Sequence, residues 1–502
     1  MRETGILLAL VTILYMGVPR TAAASDSLDH GGNGLGFDQF VNKALGDYAV
    51  PGAVVVVVDH DQTIFLKGYG VRAADRPDAV DENTRFQIAS VSKFLMASAL
   101  GTLVDEGKLD WDRPVSTYLP DLAFNDPYVT RYATLRDLLA HRSGLPAYTG
   151  DLLTRLGYDA EQIRYRLRFL VPDHSFREYW AYSNYGIFLA GSVAARVAGV
   201  SSGQIVADRL FLPLGMSRSG PVLGEVLKDD NHMEAHNLDG SIMPFENVDA
   251  LDGAGAFVST GADMARWLRM MLGTGSLEGR QVLKPATVDA LYAASMVQGI
   301  GGPLRDPNDS AGLGCESYRF MLGRVIEKNG ALNGVRTIVT LVPEKKAGIL
   351  VVANKQLTVF PEAVRAEFLE RYLGPSGRDL QEEIHGEQKA WQALVTAPVP
   401  PGDARPLDRD LRAFAGDYAS KLYGPSTVGV EGDALGVAFG PNHYPGKLRH
   451  WSGASFLLYF ADPDVTPGLV TFTFDAAGSV TGFEGSKISG AFTVDYGRFD
   501  RM

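Results

Sequence analysis

Ser90 and Lys93, in the stretch Ser90-Val91-Ser92-Lys93, stand three residues apart at the start of a segment with helical spacing. Residues at i and i+3 share a helix face, so a hydroxyl and an amine would lie about one turn apart. A neighbouring amine can take the proton from a serine hydroxyl, which is a weak nucleophile alone. The helix N-terminus adds unpaired N–H groups and positive dipole charge where an oxyanion would form. The chemistry implied is acyl transfer by a serine that needs no histidine. A Ser-x-x-Lys also arises by chance in a chain this long, and a capped surface helix would display it equally well. Residues further along bear on that choice. Tyr182-Ser183-Asn184 is the only Tyr-x-Asn in the chain, and Lys328-Asn329-Gly330 lies on a strand-like run. Taken singly, Asn184 reads as a helix cap and Lys328 as a solvated edge-strand lysine.

Taken together and in this order, the three motifs resemble those of the penicillin-recognising serine enzymes, a group that includes class C β-lactamases, DD-peptidases and related esterases. Further stretches carry the resemblance. They are Phe86-Gln87-Ile88-Ala89-Ser90, Leu138 to Pro146, Tyr182 to Gly186, Pro213-Leu214-Gly215-Met216 and Leu341 to Lys345. The match runs over roughly 37–375. It implies an α/β fold, a β-lactamase/transpeptidase-like sandwich with an antiparallel sheet and an inserted helical lobe. It implies Ser90 as nucleophile, Lys93 as its proton relay and Tyr182 as the group that protonates the leaving group. Tyr182 is a poor base at an ordinary pKa of ~10, so Lys93 and Lys328 would have to favour tyrosinate or at least a shared proton. Asn184 would orient Lys93 and bind a substrate carbonyl. Lys328, Asn329, Gly330 and Ala331 would line the substrate strand, with the amides of Ser90 and Ala331 as oxyanion hole. No metal or organic cofactor is implied. Asn329 departs from the Thr or small residue common in the family, which weakens the case for strong β-lactam turnover more than the case for acyl transfer. The function implied is a peptidase or esterase acting on a peptide, amide or ester. The alternatives are a class C-like β-lactamase, or a non-catalytic penicillin-binding scaffold.

The elements that must position these residues are legible in outline. Phe37 to Tyr48 has helical spacing, and Gly52 to Val58 and Thr63 to Tyr69 read as a hairpin around Asp59-His60-Asp61-Gln62. A helix is expected from Ser90 to about Glu106, stopped by Gly107. Thr134 to His141 and Asp263 to Leu272 read as helices, the latter behind Ser259-Thr260. Gly144-Leu145-Pro146 is a helix stop that would line the cleft. Arg336 to Val342 and Gly348 to Ala353 are strand-like, and Phe360 to Leu373 is helical. Strands from both ends thus enclose a helical middle, as a sandwich with an inserted lobe requires. Residues 376–406 hold a helical segment and the Pro-rich break Ala397 to Gly402. Beyond Leu407 short strand-like runs follow one another at Ser426 to Val430, Ala434 to Phe439, Ser455 to Phe460, Leu469 to Phe474 and Phe492 to Tyr496. They predict a separately folded all-β unit over 407–502. With Leu448-Arg449-His450-Trp451, it resembles the lipocalin-like domain of some peptidases of the family, and names no protein partner.

Composition sets the outer bounds. The 502 residues are 46% hydrophobic and 21% charged, with a net charge of −12. That fits a globular chain of more than one domain and argues against nucleic-acid binding. Arg2, the apolar run Gly5 to Val18 and Ala22-Ala23-Ala24 read as an export signal over 1–24, cleaved before Ser25. The expected location is periplasmic or secreted, with no membrane span after cleavage and Ser25 to Gly36 as a flexible start. Cys315 is the only cysteine, so no internal disulfide can form, and it reads as a small packed residue. His232 and His236 have i, i+4 spacing but lack the rest of a zinc motif.

Overall fold

The computed structural model describes Leu28, residues 36–299, 309–394, 398–462, Val465, 467–488 and 496–502. The export-signal reading falls on residues outside this set. So do most of the start at 25–36 and the run from Phe492, Tyr496 excepted.

Helix α1 (Phe37–Asp47) leads into the hairpin of β1 (Gly52–Asp59) and β2 (Gln62–Gly70). After the helical lobe come β3 (Met296–Val297), β4 (Ser310–Ala311), β5 (Glu316–Phe320), β6 (Gly323–Leu332), β7 (Val335–Val342) and β8 (Ala347–Ala353). They form one antiparallel sheet in the order β2-β1-β8-β7-β6-β5-β4-β3. First and last segments therefore pair directly, Val55 opposite Val351. Side chains alternate between sheet faces, and in β1 both sets are buried. Val54, Val56 and Val58 join the core shared with the helical lobe, while Ala53, Val55 and Val57 pack in the core of α1 and the later helix Phe360–Leu373. An unbroken valine run suits a strand covered on both faces. The expected sandwich with its inserted lobe is what the chain forms.

Within the lobe, α2 (Ser92–Asp105) is buried from Ser92 through Leu103. A helix apolar all round belongs at the centre of a domain, and α2 is that central helix. It ends at Gly107, whose φ of +72° suits glycine. Helix α3 (Asn184–Ala198) packs against it, and α4 (Gly261–Leu272) is capped by the Thr260 hydroxyl, which accepts the Asp263 N–H. Cys315 is buried with its thiol on the Leu291 carbonyl. His236 bridges the Asn354 carbonyl and the Ala74 N–H. Among the described residues no group of His, Cys, Asp and Glu could hold a metal ion, and no single helix is long and apolar enough to cross a membrane.

After α5 (Phe360–Leu373) and α6 (Leu380–Leu394), the C-terminal unit is a closed eight-stranded antiparallel barrel. Residue Tyr418 on its first strand pairs with Arg501 on its last, closing the ring. Phe414, Phe439, Phe456, Phe472, Phe483 and Phe499 fill it. Three of its strands, Gly416–Ser420, Tyr444–Ser452 and Val480–Ser486, have no strand-like run in the sequence. In Tyr444–Ser452 only Gly446 and Leu448 are buried, and Pro445 and three basic side chains obscure the alternation. The last described strand, Gly497–Arg501, begins just past the expected run.

The barrel is less separate than the Pro-rich break suggests. Its Tyr423 is buried against the lobe, where the Tyr423 hydroxyl accepts the Gly150 N–H at 3.3 Å and its carbonyl accepts the Tyr158 hydroxyl at 3.0 Å. The Asn442 N–H donates to the Leu156 carbonyl, and Arg166 donates to the carbonyls of Lys421 and Leu422. Arg155 of the lobe reaches Asp462 of the barrel at 3.0 Å. Leu156 and Tyr158 thus share one apolar core with Tyr423 and Phe439. Each large apolar side chain uncovered forfeits about 1.5–3 kcal/mol. A chain ending at Ala397 is therefore expected to aggregate or to melt well below the full chain, as read by size exclusion and thermal denaturation. A monodisperse product with unchanged melting would contradict this interface.

Candidate active site

The turn that presents Ser90 is held from three sides. Phe86–Gln87 pairs with Val258–Ser259, the Ile88 N–H donates to the Phe257 carbonyl at 2.9 Å, and the Thr337 hydroxyl donates to the Ile88 carbonyl at 2.9 Å. Ala89 then takes a left-handed φ of +49°, which costs an alanine about 1–2 kcal/mol. A 3₁₀ turn, Ala89–Val91, delivers Ser90 to the head of α2, half-buried while its neighbours are fully enclosed. As a first-turn amide, the Ser90 N–H has no intrahelical acceptor.

Lys93 and Tyr182 converge on the Ser90 hydroxyl. Lys93 Nζ lies 3.0 Å from Ser90 Oγ and also donates to the Ala254 carbonyl. Tyr182 Oη lies 2.8 Å from Ser90 Oγ. Ser183, between Tyr182 and Asn184, is the actual cap of α3, its hydroxyl accepting the Gly186 N–H. That leaves the side chains on either side of it free to face the cleft. The Tyr182 ring is fixed by its neighbours. His141 lies over it at 4.8 Å, Tyr148 at 5.2 Å, and the Nζ atoms of Lys93 and Lys328 sit 4.9 and 5.3 Å from its centre. His141 Nδ1 accepts the Ser183 N–H at 3.2 Å, and burial holds that imidazole well below its usual pKa, as a neutral packing group.

The ionisation of the site differs from the expectation of a tyrosinate. Burial raises the Tyr182 phenol above its ordinary value, Glu316 and Asp151 raise it further, and only the Ser90 hydrogen bond opposes them. Lys328 is tied up, because its Nζ pairs with Glu316 at 3.0 Å with both groups buried. By contrast, burial and then the Lys328 charge push Lys93 well below the lysine range, with Asp151 opposing. Lys93 is therefore the group made available as a neutral base, and Tyr182 stays a phenol.

Asn184 also differs. Its amide donates to Asp151 Oδ2 at 2.9 Å, and the Ala254 carbonyl, not Asn184, orients Lys93. On β6, pairing with β5 ends at Glu327, so Lys328 to Leu332 present an open edge beside the Ser90 turn. Gly330 is packed so closely there that a Cβ would lie 2.8 Å from Ser90 N and 2.5 Å from Thr337 Oγ1. Gly330→Ala is expected to push the strand off the turn and slow acylation by about 100-fold, the scale of a 1 Å misplacement. A stopped-flow acylation rate equal to wild type would show that the contact has no catalytic consequence. Asn329 is half-buried on the sheet face opposite Lys328 and makes no side-chain hydrogen bond among the described residues, and Ala331 is exposed on the same edge. Glu316, Asp151 and Ala254 are absent from the sequence reading, since no local pattern marks them. His141 and Tyr148 flank Gly144-Leu145-Pro146, the loop expected at the cleft.

Residues 37–373, more than half of the chain, match the family described as Beta-lactamase. The chain belongs to that family. Residues 400–496 match a second one, described as a domain of unknown function, DUF3471. An unguisins hydrolase of Aspergillus campestris (strain IBT 28561) is 25% identical over 448 residues, spanning 82% of this chain and 79% of that protein. Among solved structures, the octameric penicillin-binding protein homologue of Pyrococcus abyssi superposes with a TM-score of 0.59 at 18% identity, over 92% of this chain and 98% of that one. A class C β-lactamase superposes with a TM-score of 0.56 at 20% identity, over 66% of this chain and 96% of that one. Membership of the β-lactamase family, with these relatives, makes the protein a serine hydrolase.

Proposed function

We propose that the protein is an exported hydrolase that acylates Ser90 with a peptide, amide or ester and then releases the acyl group to water. The observation that carries this is the Ser90 hydroxyl, held between Lys93 at 3.0 Å and Tyr182 at 2.8 Å. Neutral Lys93 takes the hydroxyl proton as Ser90 Oγ bonds to the substrate carbonyl carbon. The amide of Ser90, with that of Ala331 on the open edge, receives the oxyanion. Tyr182 hands its phenol proton to the departing amine or alkoxide as the carbonyl–leaving-group bond breaks, and the Lys93 ammonium restores it. Water then attacks the acyl carbon with its proton going to the same pair, which returns Ser90 as the free hydroxyl. The open edge from Lys328 to Leu332 receives the substrate, with Asn329 half-buried on it and Asn184 across the cleft.

The docked barrel favours peptidase or esterase action over β-lactam hydrolysis, because it packs behind Gly150, at one wall of the cleft. A panel of nitrocefin, p-nitrophenyl esters and D- and L-aminoacyl amides tests the choice. Turnover of esters or amides above nitrocefin is expected, and nitrocefin as the fastest substrate would favour a β-lactamase. Export rests on Arg2, the apolar run and Ala22 to Ala24. N-terminal sequencing of the native protein should begin at Ser25, and a retained Met1 would overturn it.

A further inference from the structure

Asp151 lies at the cleft with half of its carboxylate unused. It opens a short 3₁₀ turn, Asp151–Thr154, directly after Gly150. Gly150 is fixed from two sides. Its carbonyl accepts the Tyr185 hydroxyl at 2.6 Å, and its N–H donates to Tyr423 of the barrel. Asp151 Oδ2 accepts the Asn184 amide at 2.9 Å, whereas Oδ1 is buried and accepts no hydrogen bond from the described residues. A buried carboxylate oxygen without a donor costs free energy. The cations nearby are otherwise engaged. Lys93 serves Ser90 and the Ala254 carbonyl, Lys328 pairs with Glu316, and Arg155 is shared between Glu246 at 2.8 Å and Asp462 at 3.0 Å. Among the described residues no cation forms an ion pair with Asp151, so its carboxylate, when ionised, lacks a counter-charge. A water would satisfy the oxygen but leave that charge unopposed.

We propose that Asp151 receives a protonated amine of the substrate, carried close to the scissile carbonyl, so that the enzyme selects substrates with a free amino group over N-acylated ones. The inference rests on the acyl-enzyme reading of Ser90, because it is Ser90 that fixes where the scissile carbonyl lies. Burial raises the Asp151 carboxyl to about 7, as befits a group waiting for a counter-charge. Asn184, bonded to the other carboxylate oxygen, aligns Asp151 and links it to the Tyr182 segment.

The test uses alaninamide and N-acetyl-alaninamide, each as D and L forms, titrated against the full chain by ligand-observed NMR. One enantiomer of alaninamide should bind wild type at least about tenfold more tightly than its N-acetyl form, the value of one charge-assisted hydrogen bond. In Asp151→Asn the two affinities should converge. Equal affinities in wild type, binding of neither, or a preference that survives in Asp151→Asn would overturn the proposal. Fluorophosphonate labelling of Ser90, run on the same samples, reports separately on the acyl-enzyme reading. A wild type that binds the free amine but is not labelled would sink that reading alone. Hydrolysis of free-amine and N-acetyl p-nitroanilides gives a further check. An equal fall on both in Asp151→Asn, with no change in their ratio, would mean that Asp151 acts on Lys93 instead.

Discussion

Ser90→Ala is expected to lower hydrolysis by about 10⁵–10⁶, as when the nucleophile is removed from other serine hydrolases. The variant should stay folded. Ser90 is half-buried, and among the described residues its hydroxyl bonds to Lys93 and Tyr182 alone, while the turn around it is held by backbone of Ile88 and Phe257 and by Thr337. The stability change should stay within about 1 kcal/mol. Turnover of the best ester or amide, measured beside thermal melting, checks both halves. A folded variant with substantial residual turnover would place the nucleophile elsewhere.

Lys93→Met should cut acylation by about 10²–10⁴, the usual worth of positioned proton transfer. The sign of the pH effect follows from the depressed pKa. Wild-type acylation should rise with pH as Lys93 loses its proton, and the variant should lack that limb. Burial raises the nearby Asp151 carboxyl to about 7 and the Lys93 charge acts on it, so the profile of Asp151→Asn is needed beside that of Lys93→Met to separate the two. Stability adds an independent readout. The folded pKa lies below the unfolded value of ~10.4, so between the two the unfolded chain binds more protons. The Lys93 contribution to stability therefore improves as pH rises and is worst below the folded pKa. Methionine is similar in length and carries no charge to bury. The variant should melt no lower than wild type at neutral pH, and its relative advantage should shrink towards pH 10. An advantage that grew with pH would mean that Lys93 is not the depressed group.

The outline of the site is visible in the sequence because its parts are local. Ser90 and Lys93 share a helix turn, Tyr182 and Asn184 straddle a capping serine, and Lys328 to Ala331 occupy one strand. What the sequence does not show depends on distant contacts. Glu316 neutralises Lys328 from a neighbouring strand, and Ala254 reaches Lys93 from a separate loop. The protonation of Tyr182 depends on how deeply its ring is buried under His141 and Tyr148, which no spacing encodes. The same holds for the fold. The valine run of β1 announces a covered strand, whereas Tyr444–Ser452 hides among proline, glycine and basic residues. The Pro-rich break marks a change of composition. It carries no trace of Tyr423 and Asn442, which fasten the barrel to the lobe.

Intact-protein mass spectrometry after a small fluorophosphonate tests the central claim most directly. A single adduct is expected on the wild-type chain, mapped by peptide fragmentation to Ser90, absent from Ser90→Ala and slowed in Lys93→Met. An adduct on any other residue, or one that persists in Ser90→Ala, would contradict the account.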